Sequence, residues 1–274
     1  MTVSEPLFTG GPFLTVGKGP CYRVPSLVPP HKGVFMVAVA EEKERFVRQL
    51  FDSITPRYDW FNRVSSFGMD QGWRARAIES VKLLPGMRVL DLASGTGDLA
   101  AAAAEKLAPL GRVAAFDLSY PMLNWGRRAM ARHPLAAWHV SFAQGRAEAL
   151  PFADRSFEAL TCGFALRNVS DLDRTFSEMR RVLKVGGRFG ILEFSRPRNP
   201  LLSAGHTVWL STGIPALGWT LTGRFWPFVY LRRSIFQFPP PAEAVKRLER
   251  AGFREVEAIP LTGGVVILYT GTRR

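Results

Sequence analysis

Two carboxylates flank a glycine-rich turn in this chain: Asp91 and Asp98 bracket Ala93-Ser94-Gly95-Thr96-Gly97. The residues before the turn form an apolar run that fits a buried strand, and an Ala-rich helical segment follows it. A strand that ends in glycines and opens a helix lets a nucleotide-like ligand approach the backbone. A helix N-terminus ordinarily favours an anion such as pyrophosphate, through its free N–H groups and dipole. Asp91 and Asp98 would repel a pyrophosphate and attract a cation, which disfavours a dinucleotide. S-adenosylmethionine carries an ammonium and a sulfonium and no phosphate. It is the cofactor expected here.

Asp117 stands twenty residues after Gly97, at the end of a second apolar strand, Val113-Ala114-Ala115-Phe116. An acid there can accept both ribose hydroxyls of an adenosine. Taken alone, it also suits a helix N-cap. Leu118 follows it, and Met122 on the next helix's first turn is placed to pack on adenine, with plain core as the alternative. Gln144 to Phe152 follows the third strand, where many methyltransferases close a loop over adenine. The expected cofactor set is Asp91, Ala93, Ser94, Gly95, Thr96 and Gly97 of the turn, then Asp117, Leu118 and Met122. Arg146, Ala147 and, at the end of the fourth strand, Gly163 complete it.

These residues need a frame. Helical spacing begins at Glu41 to Phe51, residues 57–68 are aromatic-rich, and a helix over 72–84 ends at Pro85-Gly86. Strands are expected over 87–93, 112–117, 137–143, 157–164 and 187–194, and helices over 97–107, 120–131 and 171–183. Such alternation predicts an α/β fold, a mostly parallel sheet covered by helices on both faces. Residues 196–238 read as irregular; helix 241–251 and strands 254–260 and 264–271 follow, the pair linked tightly enough for an antiparallel hairpin. A doubly wound, Rossmann-like sheet finished this way is the architecture of class I methyltransferases. One domain is expected over 41–274, with a helical cap at 41–84 and a substrate lid at 196–238. Residues 1–40 form an extension expected to be disordered. It has no apolar region with a small-residue cleavage site, so no signal peptide is expected, and Met36 is a candidate initiator.

Further segments resemble one family, the ubiquinone/menaquinone-biosynthesis C-methyltransferases. They are Phe51-Asp52-Ser53-Ile54, Tyr58-Asp59, Ser66-Phe67-Gly68, Trp73, Asp91 to Leu99 and Glu148 to Phe152. Leu166-Arg167-Asn168-Val169, Leu192-Glu193-Phe194-Ser195, Tyr230-Leu231, Ser234-Ile235 and Gly263-Gly264-Val265-Val266 match as well. The similarity runs from about Phe46 to the C-terminus. It implies methylation of a ring carbon on a polyprenylated quinol, demethylmenaquinol or a 2-polyprenyl-6-methoxy-benzoquinol. It also implies that Thr96 and Asp117 contact the cofactor, with Arg146 and Ala147 near adenine. Three features depart from the family pattern: Arg146 stands where Asn or Asp is usual, and Gly163 and Ala165 replace Ser and Gly. Arg232-Arg233 stands in place of a more acidic pattern.

A quinol carbon becomes nucleophilic when a neighbouring hydroxyl ionises, so the pocket must be dry and must support a phenolate. Arg167 and Asn168 interrupt an apolar run just past the fourth strand, where such sheets bind ligands. Arg167 cannot be a base, but it can stabilise a phenolate or orient a water; a surface Arg with an Asn helix cap is the alternative. Tyr58 is a second candidate, as a hydroxyl aimed at the quinol oxygen or as a core tyrosine. His206 could be a base by type and ranks below them. No His, Cys or Asp cluster has metal-ligand spacing, and no metal is expected.

The 274 residues are 47% hydrophobic, enough for a sizeable core. Cys21 and Cys162 form no disulfide framework, which fits a reducing cytoplasm. The net charge of +13 suits either a solvated basic surface or affinity for a polyanion. Residues 196–238 hold five arginines (Arg196, Arg198, Arg224, Arg232 and Arg233) and no Asp, Glu or Lys, with eight aromatics from Trp209 to Phe238. That pattern suits a lid resting peripherally on anionic lipid, with an ordinary apolar lid as the alternative. The uncharged run Asn199 to Gly223 contains too much Pro, Gly, Ser and Thr for a transmembrane span. No nucleic acid partner is expected, since the basic residues are dispersed and no RNA-binding module stands out. Methylation of another small lipophilic molecule or of RNA, and a non-catalytic cofactor-binding scaffold, are the rival readings, and a homodimer is a candidate assembly.

Overall fold

The computed structural model describes residues 33–131 and 139–274. Of the extension expected over residues 1–40, residues 1–32 lie outside them, as do the first two residues of the strand expected at 137–143, while residues 33–40 belong to a helix.

Seven strands form one sheet in the order β3-β2-β1-β4-β5-β7-β6. The strands are β1 (Arg88–Leu92), β2 (Arg112–Asp117), β3 (Val140–Gln144), β4 (Phe157–Gly163), β5 (Leu183–Phe194), β6 (Phe253–Leu261) and β7 (Val266–Arg273). The first five run parallel, and β7 is antiparallel to both β5 and β6. Val89, Leu90 and Leu92 of β1 are fully buried, as expected for a central strand covered on both faces. One face is packed by α3 (Met69–Ser80) and α4 (Asp98–Leu107). The small residues Ala100, Ala103 and Ala104 let α4 lie flush on the sheet, so enlarging one would overpack the contact by about 1–3 kcal/mol. The other face is packed by α6 (Leu172–Val182) and α10 (Pro241–Arg250). The helix α5 (Tyr120–Met130) follows β2. β2 and β4 flank β1 on opposite sides, so the strand order reverses at β1 and opens a crevice at the carboxyl ends.

Two expectations need correction. The first helix, α1, runs Gly33–Ile54, starting well before Glu41, and a 3-10 turn (Thr55–Arg57) leads to α2 (Tyr58–Ser65). The stretch 196–238 is helical: α7 (Pro200–Val208), a π-turn (Trp209–Gly213), α8 (Ile214–Thr222) and α9 (Trp226–Gln237). Pro200 and Pro227 start helices instead of breaking them, because they sit in first turns whose N–H groups have no intrahelical partner, and Pro215 is carried inside a continuous helical run just after the π-turn. Phe61 of α2 packs with Leu210, Ile214, Phe228 and Ile235 in a satellite core that seats these helices over the sheet's carboxyl end.

Candidate functional site

The turn after β1 carries three positive φ angles, 52° at Ala93, 57° at Gly95 and 89° at Gly97. Its backbone is pressed against α5 at Gly126, where a Cβ would stand 2.5 Å from the Thr96 carbonyl oxygen. The resulting cleft, of about 760 Å³, is floored by Ala93 and Gly95. Asp117, Leu118 and Met122 line one side, and Arg146, Ala147 and Gly163 line the other. Tyr58 and Asn168 also face it. Asp91, Ser94, Thr96 and Gly97 support the turn without lining the cleft, and Arg167 lines a second cavity.

The acids differ in role. Asp117 accepts hydrogen bonds from the backbone N–H groups of Gly95 (2.8 Å) and Ser119 (2.7 Å), which hold its carboxylate at the rim. Asp91 is fully buried beneath the turn and accepts a 2.8 Å hydrogen bond from Thr161 Oγ1. Burial pushes Asp91 up to about 7, and it raises Asp117 as well. Carboxylates held above their ordinary range gain when a cation comes beside them, and the Ser94 hydroxyl is buried without a hydrogen-bond partner among the described residues. This donor set, with the apolar wall of Phe116, Leu118 and Met122, fits a ligand that is cationic at one end and an adenosine at the other.

The N-terminal cap reaches all four strand-end loops. From α1, Lys43 Nζ donates to the Val169 carbonyl after β4 at 2.5 Å, and Glu44 pairs with Arg146 after β3 at 2.8 Å. Asp52 accepts from Ser119 Oγ after β2 at 2.5 Å, and Asp59 of α2 accepts from Thr96 Oγ1 after β1 at 2.5 Å. Arg146 is thus engaged by the cap. Sequence reasoning misses these partners, because they join residues 37 to 126 positions apart.

The second cavity, of about 1480 Å³, lies beneath the lid helices. It meets the first cleft at Phe51, Tyr58, Phe164 and Asn168, which line both. Phe164 takes φ 58°, a strained value for a residue with a side chain, and stacks on Phe194 with centroids 4.5 Å apart. Arg167 is 5% exposed, and its Nη1 donates to Glu193 Oε1 at 2.6 Å and to the Phe164 carbonyl. Glu193, fully buried, also accepts from the Arg167 and Phe194 backbone N–H groups. Asn168 Oδ1 accepts from the Tyr230 hydroxyl at 3.3 Å. Burial raises the Tyr58 phenol while Arg74 and Arg167 pull it back, so Tyr58 is a donor at neutral pH. His206, on α7, lines the cavity, and burial lowers it, leaving it neutral at pH 7. Among the described residues, no group of three His, Cys, Asp or Glu is placed to hold a metal ion.

The reversed strand order, the antiparallel β7 and a cationic-adenosine cleft at the switch point define a class I, S-adenosylmethionine-dependent methyltransferase fold. A SAM-dependent methyltransferase from Aquifex aeolicus superposes with a TM-score of 0.52 at 17% identity, over 73% of this chain and 89% of that one. The model of the ubiE/COQ5 methyltransferase family matches residues 36–273, and the chain belongs to that family. A demethylmenaquinone methyltransferase of Symbiobacterium thermophilum is 38% identical over 239 residues, 85% of this chain and 95% of its own length. A ubiquinone/menaquinone biosynthesis C-methyltransferase of Hahella chejuensis is 37% identical over 243 residues, 89% of this chain and 97% of that one.

Proposed function

We propose that this protein methylates a ring carbon of a polyprenylated quinol in menaquinone or ubiquinone biosynthesis, using S-adenosylmethionine. The names of the two relatives support this reading. The observation that carries it is the junction of the two clefts. A cleft fitted to a cationic adenosine meets, at Tyr58, Phe164 and Asn168, an apolar cavity large enough for a ring and the start of a prenyl chain.

S-adenosylmethionine, when bound, supplies an electrophilic methyl on a sulfonium. In the reaction, the ring carbon bonds to the methyl as the carbon–sulfur bond breaks, and the ring hydrogen leaves as a proton. Ala93, Gly95 and Asp117 would hold the cofactor, with Met122 and Ala147 against its adenine. Arg167 would stabilise the phenolate oxygen, with its position fixed by Glu193. Tyr58 and Asn168, at the junction, would orient the quinol hydroxyls by hydrogen bonding. Leu50, Phe61, Leu210, Ile214 and Phe228 keep water from the phenolate and align carbon with methyl.

The lid is read as a peripheral contact with an anionic membrane face. Leu201 is 85% exposed and Trp219 61%, with Phe225, Trp226, Arg224, Arg232 and Arg233 also exposed on the lid. Among the described residues no helix is long and apolar enough to cross a membrane.

The test supplies purified protein and methyl-labelled cofactor with both a short-chain demethylmenaquinol and bulk RNA. Label in the quinol supports the reading, and label in RNA alone overturns it. Rescue of a quinone-methylation-deficient bacterium, followed by mass spectrometry of its quinones, would then identify the ring used.

A further inference from the structure

We propose that Arg74 is a second substrate-facing cation, whose guanidinium hydrogen-bonds the same phenolate oxygen that Arg167 stabilises, the one beside the carbon that receives the methyl group. The inference rests on the quinol reading above and adds a residue to it.

Arg74 lies on α3 and lines the apolar cavity. Its side chain is 13% exposed, yet it donates no hydrogen bond among the described residues, and its Nε is fully buried. Its ion pairs run through that Nε, to Asp98 Oδ2 at 3.3 Å and Asp70 Oδ2 at 3.7 Å. Neither pair has hydrogen-bonding geometry. The Nη groups are therefore left to the cavity, with four N–H donors and no acceptor. A largely buried guanidinium in that condition favours an anionic or strongly accepting oxygen, which it can meet with two parallel bonds. Arg167 differs, because its Nη1 is already committed to Glu193 and the Phe164 carbonyl.

Position assigns the oxygen. Arg74 Nη1 lies 3.6 Å from where a Cβ on Gly163 would stand, and Gly163 lines the cofactor cleft. The same guanidinium sits 5.8 Å from the ring centroid of Phe164, the strained residue at the junction. Arg167 lies instead over Phe194, the other ring of the stacked pair. Arg74 thus sets an uncommitted Nη1 against Gly163 of the cofactor cleft, whereas the Arg167 Nη1 is spent on the Phe164 carbonyl and Glu193. The phenolate oxygen that activates a ring carbon is ortho to it, so it too must lie beside the reacting methyl. Glycine at position 163 leaves the approach open. Asp70 and Asp98 balance the cation, so it need not repel a sulfonium.

The probe is a short-prenyl 4-nitrophenol, whose phenolate absorbs visible light. It is titrated with pH in the presence of wild type, Arg74→Gln and Arg74→Lys, each first checked for fold by melting temperature and for cofactor affinity. Wild type should lower the bound probe's pKa. Arg74→Gln should raise it again by about one pH unit and cut kcat about a hundredfold, with cofactor affinity kept. Arg74→Lys, which keeps the charge, should restore part of both. A bound-probe pKa unchanged in Arg74→Gln would overturn the assignment and leave the quinol reading standing. Failure of wild type to bind the probe, or to methylate a quinol, would overturn the quinol reading and Arg74's role with it. If Arg74 served only Asp70 and Asp98, the melting temperature would fall and the bound probe's pKa would stay.

Discussion

Thr96 Oγ1 donates a 2.5 Å hydrogen bond to Asp59 Oδ1, joining the glycine turn after β1 to the helical cap above it. Hydrogen bonds to a carboxylate contribute about 1.5–3 kcal/mol when removal leaves the partner half-buried. The cap makes one such polar contact with each of the four strand-end loops, so cofactor exchange must loosen it. Thr96→Val should therefore speed cofactor release about tenfold, for a loss of about 1.4 kcal/mol. Rapid-mixing tryptophan fluorescence can follow the release. An unchanged release rate would mean that the cap does not gate the cleft.

The Arg167–Glu193 pair is buried on both sides, so breaking it from either end strands a charge. Arg167→Ala and Glu193→Ala should each destabilise the fold by about 3–5 kcal/mol, whereas the double variant Arg167→Met with Glu193→Gln should recover much of that. Turnover separates the roles. The double variant should fold and bind cofactor, yet turn over about a hundredfold more slowly if Arg167 supports the phenolate. Denaturant melts and steady-state kinetics on the same preparations give both answers. Full turnover in the double variant would reduce Arg167 to a structural residue.

What the sequence discloses about this site is what lies close along the chain. Asp91, Gly95 and Asp117 stand at strand ends, and hydrophobic runs mark strand ends well. Asp52, Glu44 and Arg74 carry no such mark, because their partners come from elements brought near only by the fold. The lid shows a different failure. Its prolines and glycines look like loop punctuation, yet Pro200 and Pro227 occupy helix first turns, Pro215 follows a π-turn within a continuous helical run, and Gly223 closes α8 in a left-handed conformation. The uncharged, apolar run Asn199 to Gly223 also hides helical periodicity, since both faces of such helices can be apolar when one lines a cavity.

Cofactor affinity should depend on pH in a definite direction. In the free protein burial holds Asp91 up to about 7 and also raises Asp117. Because Asp91's folded-state value lies above its ordinary one, it contributes stability at low pH that is lost as pH rises toward 7. A cation bound beside these groups favours their charged forms. Binding should therefore tighten from about pH 5 to about pH 7, then level off, with protons released on binding. Calorimetry in two buffers of different ionisation enthalpy counts those protons. Asp91→Asn should remove most of the release and flatten both profiles. Proton uptake on binding would contradict this account of the site.

Membrane contact makes a separable prediction, because the lid's outer residues lie away from the junction. Trp219 and Trp226 are exposed, and Arg224, Arg232 and Arg233 stand on the same segment, so apolar insertion and attraction to anionic headgroups should add. Attraction to such headgroups contributes about 1 kcal/mol per basic residue near the surface. Replacing all three arginines by Gln should therefore weaken binding to phosphatidylserine vesicles by about a hundredfold, and raised salt should do the same to wild type. Trp219→Ala with Trp226→Ala should weaken binding to neutral and anionic vesicles alike. Activity on a detergent-dispersed short-chain quinol should survive in both variants, since the cavity wall is intact. Flotation of the purified protein with vesicles of the two compositions decides it: equal binding to neutral and anionic vesicles by wild type would remove the electrostatic part, and no flotation at all would leave the lid a cover for the cavity alone.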